Sequence, residues 1–141
     1  MRKEMIIIFI LLILVSLFLL VQCGNTVTIK VSKESISNTG VTIVVTDKSQ
    51  KEYAWDPRYL IQVKQNNEWE TLETIVPPSD LANVDILLAY VLDEKNQIAQ
   101  SIDWERRYGE LQNGTYRIVK IGFDTTTRKD VYFYSNEFKI K

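Results

Sequence analysis

The chain has 141 residues, with 17 lysines and arginines against 18 aspartates and glutamates and no histidine. Its formal charge of -1 is spread along the chain, so the basic stripe that neutralises a phosphate backbone is missing and no nucleic-acid partner is expected. Without histidine, Ser-His-Asp and Cys-His catalysis and most zinc sites fall away, and the length allows one domain of about 100 to 150 residues.

Met1-Arg2-Lys3 is a basic start, and the 17 positions from Met5 to Val21 are apolar except for Ser16. That run is longer than the roughly 7–15 apolar residues of a signal peptide and lies at the lower edge of a bilayer span. Residues 1–22 are read as an N-terminal hydrophobic signal helix, either a signal peptide or a membrane anchor. Residues 23–26 form a short tether, and 27–141 the folded domain. The stretch Leu20-Val21-Gln22-Cys23-Gly24 resembles a bacterial lipoprotein lipobox, which implies lipid attachment at Cys23, although Gln22 stands where such motifs carry a small residue. An uncleaved anchor and cleavage at another position stay open beside it. In each case the basic residues precede the apolar segment, so the domain is expected outside the cytoplasm at the cell membrane. Cys23 is the only cysteine, so no intramolecular disulfide is available and the core alone must hold the domain.

Alternation then sorts the mature chain into strands. Val27, Ile29 and Val31 alternate with polar residues, as do Val41, Ile43 and Val45 with Thr42 and Val44, and both runs predict half-buried strands. Trp55 falls in a loop before a strand carrying Tyr59, Ile61 and Val63. Asn66-Asn67 turns that strand into a hairpin with Glu68 to Leu72. Pro77-Pro78-Ser79-Asp80 breaks the chain, with Ser79 placed to cap a helical turn over 80–84. Ile86 to Leu92 is a continuous apolar run, Asp93 to Asn96 a turn, and Ile98 to Trp104, Thr115 to Phe123 and Val131 to Ile140 are further strands, the last two joined by a loop over 124–130. About 7–9 short strands without a sustained helical period predict an all-β, antiparallel β-sandwich.

Asn113-Gly114 stands two residues before Tyr116 at the head of one of these strands. In immunoglobulin-like sandwiches a tyrosine at this place bonds back to the upstream backbone and pins the corner. Leu111, Gly114 and Tyr116 are therefore the candidate tyrosine corner. The run from Trp104 through Tyr108-Gly109-Glu110-Leu111 and Gly114-Thr115-Tyr116-Arg117-Ile118 to Lys120, with Tyr134 to Phe138 downstream and the hairpin Tyr59 to Trp69, resembles the bacterial immunoglobulin-like domain of exported Gram-positive proteins. The likeness covers residues 27–141. It implies an immunoglobulin-like sandwich in a cell-envelope protein, and no catalytic residues. The turn at 93–96 departs from the family, which carries proline or glycine there.

Few residues offer chemistry. Asp103, Glu105 and Glu110 cluster near that corner, but surface carboxylates meet by chance in any acidic domain, so no catalytic residue is assigned. Asp124 with Asp130 is too thin for calcium, and the scattered glycines form no phosphate-cradling loop, so neither metal nor cofactor is expected. Binding has three candidates. Trp55 is a loop aromatic suited to recognition, or a cap on one end of the sandwich. The run 86–92, with Leu88 and Tyr90, is apolar on both faces, so it is either covered within the domain or open to a partner. Arg106, Arg107 and Arg117 are the third, suited to an anion or lipid headgroup. Trp69 and Trp104 are read as core. The expected role is an envelope-anchored binding or accessory module contacting another extracytoplasmic protein. The alternative is a carbohydrate or cell-wall-binding module using Trp55.

Overall fold

A computed structural model describes residues 26–77 and 90–141. The leader, Cys23, Leu88 and the helical turn expected over 80–84 lie outside the described residues. Eight strands are described: β1 (Val27–Val31), β2 (Gly40–Asp47), β3 (Tyr53–Gln65), β4 (Glu68–Thr71), β5 (Gln97–Asp103), β6 (Gly114–Asp124), β7 (Lys129–Tyr134) and β8 (Phe138–Ile140). They form one sheet in the order β1-β2-β5 and a larger one in the order β4-β3-β6-β7, with β8 also paired to β6. Every strand pair is antiparallel. Among the described residues no helix is long and apolar enough to cross a membrane.

Alternation decides what lies between the sheets. Ile29 and Val31 of β1, Val41, Ile43 and Val45 of β2 and Ile102 of β5 meet Trp55, Tyr59 and Ile61 of β3, Tyr116 and Ile118 of β6 and Phe138 and Ile140 of β8 in one core. Each fully buried aliphatic side chain of this kind contributes about 1.5–3 kcal/mol relative to exposure. Trp104 sits at the centre with no exposed surface, stacks on Phe138 at 6.2 Å and donates its indole N–H to Asn38 O at 2.8 Å. The architecture is the expected immunoglobulin-like antiparallel sandwich.

Four local features differ from the alternation alone. Strand β3 begins at Tyr53, not beyond Trp55, because the chain pairs with β6 on both sides of an irregularity between Trp55 and Tyr59. Pro57 lacks a backbone N–H and is tolerated in a sheet at such a bulge. The carbonyls there are met from the side: Lys120, 1% exposed, donates its ammonium to Asp56 O and to Arg58 O, and the Gln100 amide donates to Pro57 O at 3.3 Å. A one-turn helix α1 (Glu105–Tyr108) follows Trp104, too short to leave a period in the sequence.

The strand expected over 131–140 is two strands, β7 and β8, divided at Ser135 to Glu137. Side chains supplement the ladder there: Ser135 N–H still donates to Ile118 O, while Ile118 N–H donates to Ser135 Oγ and Val31 N–H to Asn136 Oδ1, each at 2.9 Å. A parallel bridge from Ile29 to Ser135 joins β1 to the larger sheet at the same place. The loop expected over 124–130 is correspondingly shorter, because β6 runs to Asp124 and β7 starts at Lys129.

Candidate functional site

At the corner before β6 the Tyr116 hydroxyl donates to Gln112 O at 2.8 Å, and Leu111, buried, donates its N–H to Asn38 O at 2.8 Å. Gly114 serves this corner by what it lacks. A Cβ there would lie 3.1–3.3 Å from the Tyr116 ring and hydroxyl, so a side chain would lift the ring off its acceptor. Burial also raises the Tyr116 phenol above its ordinary value of 10.0.

The candidate binding residues change. Trp55 is 1% exposed and cannot serve as a surface anchor. Its ring packs on Tyr53 at 5.7 Å and Phe133 at 5.3 Å, its N–H reaches Asp47 Oδ2 at 3.3 Å, and it lies against Gly122. The physical reason is the early start of β3, which turns the residue inward. Tyr90 also belongs to the interior: its N–H donates to Trp55 O at 2.7 Å and its half-buried ring packs against the core. Of the run 86–92, the described part places Tyr90 and Leu92 against the core and Val91 in solvent at 89% exposure.

The arginines separate. Arg107 is buried over the inward-facing Tyr59 ring at 5.1 Å, whereas Arg117 emerges on the other face of the larger sheet. Four of the five candidate carboxylates are engaged in local structure. Asp103 accepts the Glu105 N–H and Glu110 accepts the Asn38 amide, each at 3.0 Å. Asp124 accepts the N–H groups of Thr127 and Thr126 at 2.9 Å, and these bonds, that from Thr127 most, hold its carboxyl below the ordinary 3.8. Asp130 takes both terminal nitrogens of Arg58 at 2.9 Å, while Asp56 takes Nε at 2.8 Å. The bonds to Asp130, ahead of those to Asp56, raise the Arg58 guanidinium above its ordinary value despite partial burial. Among the described residues, no group of three acidic, cysteine or histidine side chains converges to hold a metal.

What the structure does bring together is a row of side chains on the outer face of the larger sheet. The Asn66-Asn67 turn has positive φ at both residues, 50° and 66°, as a two-residue hairpin turn requires. It therefore pairs Lys64 with Trp69 and Gln62 with Thr71. Since Tyr59, Ile61 and Val63 point inward, Lys64 and Trp69 point outward. The same parity sends Arg117 of β6, opposite Gln62, and Tyr134 of β7, opposite Val119, to that face.

Arg117 is held between the two rings, its Cζ 4.3 Å from the Trp69 centroid and 4.2 Å from that of Tyr134. Its Nε donates to Gln62 Oε1 at 2.7 Å. Lys64 stands 5.5 Å from the Trp69 ring and pairs with Glu137 at 3.2 Å. Tyr134 and Tyr132 are 53% and 50% exposed. Beneath them Val119 and Ile121 are buried although they lie outside the main core, with Leu60 beside Val119 in register. Trp69 is thus on the surface and not in the core. Its position follows from parity through a two-residue turn, a signal present in the sequence.

A family described as bacterial Ig-like domain matches residues 24–139 of the chain. No curated protein and no solved structure matches it.

Proposed function

The chain belongs to the bacterial Ig-like domain family, and from that premise we propose that it is an exported, membrane-tethered module that binds another extracytoplasmic protein through the outer face of β4-β3-β6-β7. The observation that carries this reading is the outward-facing stack of half-buried Trp69 and Arg117 with exposed Tyr134. Tryptophan, tyrosine and arginine are enriched among the few residues that carry most of the energy of protein interfaces, because they combine large contact area with directional bonding. A fold of this kind hosts many roles, so the site and not the sandwich must argue the function.

The tether follows from the leader sequence. The apolar segment ends at Val21 and β1 begins at Val27, which leaves five residues between them. The domain then rides close to the membrane, with lipid on Cys23 or the uncleaved helix as its anchor. Binding rather than catalysis suits Asp103, Glu110, Asp124 and Asp130, whose carboxylates already serve a turn, a loop or an ion pair. The alternative of a wall-binding module built on Trp55 loses that residue to the core.

The test is a photoreactive residue at position 132 in living cells, with a control at the exposed Lys30 on the smaller sheet. Capture of one extracytoplasmic protein through 132, absent through 30 and reduced by Trp69→Ala, is the expected result. Capture that is equal at both positions, or unchanged by Trp69→Ala, refutes the reading.

A further inference from the structure

Resting on the reading of this face as the binding surface, we propose that Arg117 is the receptor for a single carboxylate on the protein partner, an Asp or Glu side chain set among apolar neighbours. The guanidinium is oriented before any partner arrives. Trp69 and Tyr134 cover its two faces at 4.3 and 4.2 Å, and Gln62 holds Nε at 2.7 Å. Those three contacts leave the Nη1 and Nη2 edge, for which no acceptor exists among the described residues. An oriented edge of two parallel N–H groups matches the two coplanar oxygens of a carboxylate.

Charge makes the same point. Arg117 forms no ion pair among the described residues, although Arg58 has two carboxylates and Lys64 has Glu137. A half-buried cation that is flanked by aromatic rings and lacks an acid partner is electrostatically incomplete. An incoming carboxylate would complete it where water is partly excluded, and charge-assisted bonds are stronger there. The number of cations favours one carboxylate over a polyanion. Lys64 is occupied by Glu137, and the exposed Lys139, opposite Thr115, is the one further cation that register brings near Arg117 on this face among the described residues. A phosphate polymer is held by a row of such charges. The rings of Trp69 and Tyr134 beside Arg117, with Tyr134 53% exposed, suit apolar side chains flanking the acid.

The experiment uses the full chain in nonionic detergent and two immobilised peptide libraries. One carries a single Asp or Glu flanked by aromatic and aliphatic residues, and the other has Asn or Gln in its place. The expected result is retention on the acidic library about tenfold or more above the amide library. Arg117→Gln removes that preference. Arg117→Lys, which keeps the charge and the stem but loses the planar fork, diminishes it, and circular dichroism verifies the fold of each variant. Equal retention on both libraries, or a preference unchanged in Arg117→Gln, overturns the carboxylate receptor while leaving the binding face standing. Stronger retention on immobilised polyphosphate than on the acidic peptides overturns it in favour of a polyanion. Retention on neither library overturns the carboxylate receptor and the binding face together.

Discussion

Replacing Trp55 by alanine separates packing from recognition. The side chain is 1% exposed, and a buried indole removes on the order of 150–250 Å² from water. At about 25 cal/mol per Å² this corresponds to roughly 4–6 kcal/mol, and partial collapse of the neighbours brings the expected loss to about 3–5 kcal/mol. That is a large share of the roughly 5–15 kcal/mol that keeps a domain folded. In urea unfolding of the full chain in detergent, followed by far-ultraviolet circular dichroism, the midpoint should fall by about 2 M for a slope of about 2 kcal/mol per M. Gly122 supplies an internal check, since an added Cβ would lie 3.1 and 3.2 Å from the Trp55 ring and 3.2 Å from Phe133. Gly122→Ala should therefore cost stability in the native chain and distinctly less in the Trp55→Ala background, a coupling of about 0.5–3 kcal/mol. A loss below about 1 kcal/mol for Trp55→Ala, or strict additivity with Gly122→Ala, would refute the placement of this indole in the core.

Tyr116→Phe removes the hydroxyl that donates to Gln112 O and should cost about 1 kcal/mol at neutral pH, read from the same unfolding curves. Because the folded phenol titrates above its ordinary 10.0, the unfolded chain releases its proton first, and stability should decline as pH rises from about that value. Tyr116→Phe should flatten this alkaline decline, and an unchanged profile would exclude the buried phenol as its source. Asp124 titrates below 3.8 when folded, so its contribution is present above that value and lost as pH falls through the folded pKa. Asp124→Asn should therefore weaken the acid dependence of stability, measured as the midpoint between pH 5 and pH 2. At the hairpin, Asn67 has φ of 66°, so Asn67→Val should cost about 1 kcal/mol or more, whereas Asn67→Gly should leave the melting temperature unchanged or raised.

The outer face of the larger sheet shows what parity can deliver. Tyr59, Ile61 and Val63 identify the inward residues of β3, and a two-residue turn at Asn66-Asn67 then fixes Lys64 opposite Trp69. Trp69 is therefore outward by counting alone, yet a tryptophan in a strand invites a core assignment because hydrophobicity is the stronger local signal. Tyr132 and Tyr134 obey the same count, alternating with the inward Val131 and Phe133. Trp55 could not be placed in this way. Asp56-Pro57-Arg58 interrupts the period of two, and where the chain rejoins the sheet Lys120, distant in sequence, reaches the carbonyls of the bulge.

The sequence by itself determined the all-β sandwich, the lack of an intramolecular disulfide and the tyrosine at the head of β6. Each is written in local order, as an alternation of period two, a residue count or a turn dipeptide. Tertiary structure alone decided that Trp55 lies in the core and which side chains meet across the strands. Both depend on the bulge at 56–58, on the division of the last strand at Ser135 to Glu137, and on register between strands far apart in the chain. Arg117 shows the difference most plainly. The sequence grouped it with Arg106 and Arg107 as one basic feature, and the fold set it between two rings brought by β4 and β7, because side chains on neighbouring strands meet by register and not by distance along the chain.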